Sequence, residues 1–266
     1  MKIQIALILS VLLSVSASAH QWFAAPADAK EYKPGDTVQV IVYSTHHFMI
    51  PEGVQDASRN AFFVLQNNKL LDTQVTVARN ETQKALTASF ALPNGAPAMI
   101  LVNSVGRYSN ATPLGAKTAT KATVKALGVS VAKTTFSEGW CKIYINPASQ
   151  DKTFAQPLGL PLEIVPVTNP ADITAGKPAV FKVLLRGQPL RNADIYATYK
   201  SYNSKDEEAW AVKDSKTDAS GQVTVNIPSA AKDIWVVKAA YTADVSGNAY
   251  FDAESYTSWA VFAVRK

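Results

Sequence analysis

Hydrophobic and polar residues alternate with a period of two along most of the chain. The clearest alternation, rich in β-branched residues, occurs at 37–43, 74–77, 222–227 and 235–239. Each of these segments is bounded by glycine, proline, asparagine or aspartate, as short strands of a β-sandwich usually are. The turn at 218–221 carries a glycine where a hairpin favours positive φ. The pattern predicts an all-β fold built of short antiparallel strands.

Amphipathic helical patterns are scarce, and the best one is ambiguous. Residues 116–127 are rich in alanine, lysine and threonine, with Lys117, Lys121 and Lys125 four positions apart. Lysines at that spacing suit the solvated face of a helix, whereas the interleaved threonines favour a strand or a loop. The pattern leaves these alternatives open.

The apolar pattern is interrupted between Asn146 and Gly159, where several turn-forming residues occur together. A weak internal repeat supports a boundary there, because Pro-Ala-Asp occurs at 26–28 and again at 170–172, each time before a glycine and an apolar strand. We therefore expect two tandem antiparallel β-sandwich domains, Ig-like or transthyretin-like, after a signal peptide. The predicted segments are a signal peptide at 1–19, an amino-terminal domain at 20–150 that carries the histidines, and a carboxy-terminal Ig-like domain at 151–266.

The amino-terminal residues have the features of a secretory signal. Met1-Lys2 precedes an apolar run from Ile3 to Val15, and the small residues of Ala17–Ala19 predict cleavage before His20. The apolar run is short for a membrane span, which needs about 20 residues. We expect a periplasmic protein that does not insert into the membrane.

Composition and charge narrow the class of protein further. Hydrophobic residues make up 47% of the chain and charged residues 18%, which favours a large core over disorder. The net charge of +5 is spread along the sequence, without the dense lysine and arginine clusters of nucleic-acid-binding proteins.

The single cysteine, Cys141, excludes an intrachain disulfide and suits a bacterial periplasmic protein stabilised by its core. Its apolar surroundings favour a core position, with a thiolate ligand or a reactive thiol as the alternatives.

Three histidines provide the candidate chemistry. Cleavage before His20 leaves an α-amine, with a pKa of about 8, next to an imidazole, and this pair can chelate a metal ion. His46 and His47 follow the predicted strand 37–43, and adjacent residues on a regular strand face opposite sides, so only a bulge or a loop would let both reach one ion. We predict metal ligands among His20, His46 and His47, with Met49 or Glu52 as a further donor. The alternatives are a frayed terminus and a solvated loop.

The chain carries an ordered series of motifs at His20–Phe23, Leu158–Pro166, Asn169-Pro170, Val183–Leu190, Thr217–Gly221, Trp235 and Asp252–Tyr256. This series resembles the bacterial family of periplasmic proteins called DUF4198. The resemblance implies an accessory role in nickel or cobalt uptake. Relatives commonly have an acidic residue where this chain has Gln21, and many have a histidine where it has Tyr241. Glu163 and Glu254, which lie within these motifs, are either ligands or structural carboxylates.

These features together predict a binding protein for a divalent transition metal ion. Nitrogen donors suit nickel, cobalt, copper and zinc; the resemblance favours nickel or cobalt, and affinity alone favours copper. A membrane metal-uptake transporter is the expected partner. The chain has no nucleophile elbow, phosphate-binding glycine loop, CxxC or His-Glu-x-x-His motif, so we expect no enzymatic activity. The alternative is an envelope or adhesion module of Ig-like domains that binds a protein or a glycan.

Overall fold

The computed structural model describes residues 20–113, 115, 118–202 and 206–264. The predicted signal peptide at 1–19 and the Lys117 position of the ambiguous stretch lie outside these residues. The strands are β1 (Gln21–Pro26), β2 (Thr37–Thr45), β3 (Asn60–Gln66), β4 (Lys69–Leu70), β5 (Thr76–Asn80), β6 (Ala85–Ala91), β7 (Ala98–Ala111), β8 (Lys133–Ile145), β9 (Leu162–Pro166), β10 (Pro178–Leu185), β11 (Gln188–Pro189), β12 (Asp194–Tyr199), β13 (Val212–Lys216), β14 (Gln222–Asn226), β15 (Ile234–Asp244) and β16 (Ala253–Ala263). The all-β prediction is confirmed.

The described helices are short. One α-helix, α1, spans Lys121–Ala126, and single 3₁₀ turns occur at Ala57–Arg59 and Thr153–Ala155. The Thr120 side chain caps α1 by accepting a hydrogen bond from the Thr123 amide, which settles the ambiguous stretch as helical over these residues. No helix within the described ranges has the length and hydropathy needed to cross a membrane.

The strands form three sheets, and the largest contains strands from both halves of the chain. A first outer sheet has the order β1-β2-β6-β5, and a second outer sheet is built on β10, which pairs with β9, β11 and β14. The central sheet has eight strands in the order β13-β12-β15-β16-β8-β7-β3-β4. Strands β16 and β8 pair in parallel from Ala253 opposite Thr135 to Val261 opposite Ile143, and this pairing joins the two halves.

Each face of the central sheet carries its own hydrophobic core. On β16, Trp259 and Val261 belong to the core shared with the first outer sheet. Ala260 and Phe262, which alternate with them, belong to the core shared with the second outer sheet. Because successive side chains of a strand point to opposite faces, the continuous apolar run Trp259–Phe262 buries both faces of one sheet. The two sandwiches therefore share their central layer.

The predicted boundary between Asn146 and Gly159 separates the outer sheets but not the central one. Across it, the buried ammonium of Lys142 on β8 forms an ion pair with the buried carboxylate of Glu163 on β9. Burial lowers the pKa of Lys142, and the charge of Glu163 opposes that shift. Glu163 also accepts hydrogen bonds from the amides of residues 158, 159 and 160 at 2.7, 3.1 and 3.3 Å. These contacts give Glu163 a structural role, while independent folding of residues 20–150 and 151–266 stays a prediction.

The turn at 218–221 forms as predicted but does not make a hairpin. Gly221 has a φ of 76°, and its amide donates to the carbonyl of Asp218 at 3.0 Å. The flanking strands β13 and β14 lie in different sheets, so the turn carries the chain from the central sheet to the second outer sheet. A turn motif specifies the local reversal, whereas the burial of each strand's apolar face decides which sheet it joins.

Cys141 is a core residue. Its side chain is fully buried on β8, and its thiol donates to the carbonyl oxygen of Ala24 at 3.2 Å. Burial raises the pKa of this thiol to about 12. A thiol held protonated in this way is neither a metal ligand nor a nucleophile.

Candidate metal centre

The segment after β2 turns back on itself at the predicted site. β2 ends at Thr45, and the amide of Glu52 donates to the carbonyl of Ser44 at 3.1 Å. Met49 takes a positive φ of 61°, and its side chain lies in the first hydrophobic core. His46 and His47 therefore sit in a loop, which removes the strand geometry that would separate their side chains. The thioether of Met49 is packed in the core, so the structure does not support the predicted ligand role of that residue.

Both adjacent histidines contact the carboxylate of Glu52. The Nδ1 atom of His46 lies 3.0 Å from Oε2, and the Nδ1 atom of His47 lies 2.6 Å from Oε1. The backbone amides of His46 and His47 donate to the same carboxylate, each at 3.1 Å. The Thr45 hydroxyl adds a contact at 3.3 Å to Oε1. Glu52 is thus the centre around which the loop is organised.

These contacts fix the charge of Glu52 and the tautomers of its neighbours. Partial burial raises the pKa of this carboxyl, but the hydrogen bonds from His47 and His46 outweigh it and lower the pKa from 4.5 to about 2. An ionised carboxylate only accepts hydrogen bonds, so each contacting Nδ1 atom carries the proton when the ring is neutral. Without metal, the lone pair of each neutral ring is then on Nε2, and an ion bound jointly by Nδ1 of His46 and the Glu52 carboxylate would displace the Nδ1 proton.

Strand pairing brings His20 to this loop. His20 directly precedes β1, and Gln21 of β1 is paired with Thr45 of β2. Continuing this register by one residue places His20 opposite His46. The two rings lie with centroids 4.0 Å apart and planes tilted by 42°. The Nε2 atom of His20 lies 3.6 Å from Oε2 of Glu52. The half-exposed His20 side chain leaves the cluster open to solvent on one side.

Three side chains have the composition of a metal site. His20, His46 and Glu52 each offer one ligand atom, and these atoms lie within 4.8 Å of one another. Bonds of about 2.0–2.2 Å allow two ligands of one ion to be at most about 4.4 Å apart, so small side-chain rotations would close the set. The donors are two imidazole nitrogens and a carboxylate oxygen, which suit nickel, cobalt, copper and zinc. His47 contacts the other carboxylate oxygen and orients Glu52.

A family model described as a domain of unknown function, DUF4198, matches residues 17–243. The chain belongs to the DUF4198 family. No curated protein gave a significant match. Among solved structures, the chain is similar to the D0-D1 domain of intimin, with 15% identity, a TM-score of 0.22 and coverage of 92% of this chain and 99% of that one. It is also similar to the ectodomain of mouse nectin-like molecule 4, with 11% identity, a TM-score of 0.18 and coverage of 93% and 65%.

Gln21, where the resemblance leads us to expect an acidic residue in relatives, contacts two charged side chains. Gln21 donates through Nε2 to Oε1 of Glu208 at 2.9 Å and accepts from Nζ of Lys238 at 2.6 Å. The amide of Glu208 in turn donates to the carbonyl of His46 at 2.7 Å. A neutral amide at position 21 therefore bridges an anion and a cation and links the site to the second half of the chain. The sequence analysis missed Glu208, which belongs to none of its motifs, and the acidic run 206–208 is the signal that could have found it.

Tyr241, where the resemblance leads us to expect a histidine in many relatives, lies away from the cluster. Its ring is parallel to that of Tyr256, with centroids 6.5 Å apart and planes 12° apart. It packs against the second core, whereas Phe23 of β1, next to the cluster, belongs to the first. Glu254 is likewise engaged elsewhere, because its two oxygens accept from the guanidinium of Arg186 at 2.7 and 2.6 Å. Neither position contributes to the site formed by His20 and His46.

Proposed function

We propose that this protein binds a divalent transition metal ion at His20, His46 and Glu52. The observation that supports the proposal is the convergence of two imidazoles and a carboxylate from separate segments, with the two rings 4.0 Å apart. A carboxylate with a pKa of about 2 is ionised at any physiological pH and offsets the charge of a bound cation. The family resemblance favours nickel or cobalt, and the Irving–Williams order favours copper.

The amino terminus adds a further donor in this proposal. Export and cleavage before His20 would free its α-amine, which forms a chelate with the ring of the same residue. The half-exposed His20 then provides both an entry path and two nitrogens. We assign the protein to the periplasm, as a non-catalytic accessory of metal uptake or handling that delivers its ion to a membrane transporter.

Calorimetric titration of nickel, cobalt, copper and zinc into the exported protein tests the proposal. We expect at least one ion to bind more tightly than about 1 µM, which corresponds to about −8.2 kcal/mol. His46→Ala should weaken this binding at least about tenfold, since the ring is a direct ligand. The matched control is Tyr250→Ala, which removes an exposed ring from a loop outside the cluster. Failure of every ion to bind would contradict the proposal and leave the adhesion or envelope module as the function to pursue.

A further inference from the structure

Next to His20, the face of the central sheet that carries the first core extends beyond that core and forms the floor of two cavities. These adjoining hollows, of about 280 and 320 Å³, are both lined by His20, Trp22, Ser104 and Arg107. Volumes of about 300 Å³ are at the small end of ligand sites. The floor is formed by small residues on the face of the sheet that carries the first core. They are Ser104, Ser137, Gly139, Ser255 and Thr257.

A β-bulge directs Arg107 into these hollows. Ser104 pairs with Gly139 and Arg107 with Ser137, so one extra residue of β7 is accommodated between two positions of β8. Without the bulge, residues 104 and 107 would face opposite sides of the sheet; with it, both face the hollows. Gly106, which lies within the bulge, leaves room for the Phe136 ring, because a Cβ atom there would lie 2.5 Å from that ring.

Positive charge dominates the lining. Arg59 and Arg107 both line the hollow beside His20, and neither forms an ion pair with any residue that the structure describes. Lys238 lines the other hollow, with its ammonium 5.5–5.6 Å from the centres of three aromatic rings. The one acidic lining residue, Glu138, already accepts hydrogen bonds from Asn103 at 3.1 Å and from Trp140 at 3.0 Å. The aromatic rings around Lys238 are Tyr196, Trp210 and Trp259.

Unpaired cations beside a metal site oppose the binding of a bare cation. The same charges attract a metal ion that arrives with an anionic ligand. Guanidinium groups bind carboxylates through two parallel hydrogen bonds, and the serine and threonine hydroxyls of the floor suit additional oxygen atoms. Resting on the proposed function, we infer that the physiological ligand is a metal ion chelated by a small polycarboxylate. Arg59 and Arg107 bind the carboxylates while His20 and His46 bind the metal.

Equilibrium dialysis with nickel and isotopically labelled citrate tests this inference. The full chain is expressed with its own amino-terminal segment, and mass spectrometry verifies the start of the purified protein. Nickel alone, citrate alone and preformed nickel citrate, an anionic complex, are dialysed against the wild-type protein. We expect about one citrate to be retained per nickel from the complex. Citrate alone should be retained poorly, because it lacks the metal that His20 and His46 bind.

The double variant Arg59→Ala/Arg107→Ala distinguishes binding of the nickel–citrate complex from binding of nickel alone. It should retain nickel citrate at least about tenfold more weakly, and bind nickel alone as tightly as the wild type or more tightly, since repulsion is removed. The control is Arg79→Ala, which alters an exposed arginine outside the lining. Both arginines of the double variant are exposed, so folding should be preserved, and circular dichroism verifies this.

Three outcomes would overturn the inference. In one, the wild type dialysed against preformed nickel citrate retains the nickel but not the citrate; in another, the double variant and the wild type retain nickel citrate equally. In a third, inorganic phosphate displaces citrate as well as unlabelled citrate does, which would show a general attraction for anions. Loss of nickel binding in every arm would instead contradict the metal-binding proposal itself. Retention of nickel without citrate leaves that proposal intact.

Discussion

The imidazole rings of His20 and His46 lie with their centroids 4.0 Å apart although their residues belong to different segments of the chain. The antiparallel pairing of Gln21 with Thr45 is the cause, because it places the residue before β1 opposite the residue after β2. The cluster thus depends on main-chain hydrogen bonds as well as on side chains. Any change that frays the start of β1 should weaken the site without altering a ligand.

The two adjacent histidines should contribute unequally to metal binding. Replacing both with alanine is expected to lower affinity at least about tenfold, or about 1.4 kcal/mol. His47→Ala alone should have a smaller effect than His46→Ala, because His47 contacts the carboxylate oxygen away from His20. Calorimetry on the three variants provides the measurement. Unchanged affinity in the double variant would make the pair ordinary loop residues.

The α-amine of His20 can be tested without changing a side chain. A Gly-Ser extension before His20 keeps the imidazole but converts the amine to an amide, whose nitrogen is a poor donor. We expect weaker binding of nickel and copper to the extended protein than to the one that starts at His20. Protons compete for both nitrogens, so native affinity should also fall between about pH 8 and pH 5. Equal affinities in the two proteins would remove the amine from the site.

The ionisation of Glu52 should make folding stability depend on pH. Its pKa is lowered from 4.5 to about 2 in the folded protein, so its stabilising contribution is present above pH 4.5 and is lost as the pH falls towards 2. Glu52→Gln should cost about 1–2 kcal/mol near neutral pH, since charge-assisted hydrogen bonds are lost. Urea unfolding of both proteins provides the free energies. A difference that persists unchanged at pH 2 would contradict this assignment.

The buried ion pair of Lys142 and Glu163 should be far more important than exposed pairs. Lys142→Met leaves a buried carboxylate without its cation and should destabilise the protein by about 3–5 kcal/mol. Lys216→Met is the matched control, because it breaks an exposed pair with Asp194 and should destabilise the protein far less. Thermal or urea unfolding distinguishes the two. Similar losses of stability in the two variants would show that burial of the Lys142–Glu163 pair carries no large desolvation penalty.

Cleavage of the segment 146–159 should not release two separate domains. We expect the nicked fragments to elute together in size-exclusion chromatography, since β8 and β16 remain paired within the central sheet. Denaturant should be needed to separate them. Fragments that separate and stay folded in native buffer would instead support the independent domains predicted from sequence.

The sequence by itself determined the all-β class, the positions of several strands and the residue types of the site. Period-two alternation is a local signal, so it identified the strands at 37–43, 222–227 and 235–239. Histidine scarcity likewise directed attention to His20, His46 and His47. These conclusions need only the conformational preferences of short segments and the chemistry of side chains.

Only the tertiary structure decided which strands share a sheet and which donors meet. Continuous apolar runs in the central strands, such as Ala98–Val102 and Trp259–Phe262, suit burial of both faces, but they do not specify which strands share a sheet. The loop that lets His46 and His47 reach one carboxylate, the burial of Met49, and the contacts of Gln21 with residues of the second half all depend on long-range packing. Such contacts arise from the burial of whole faces, which no local segment encodes.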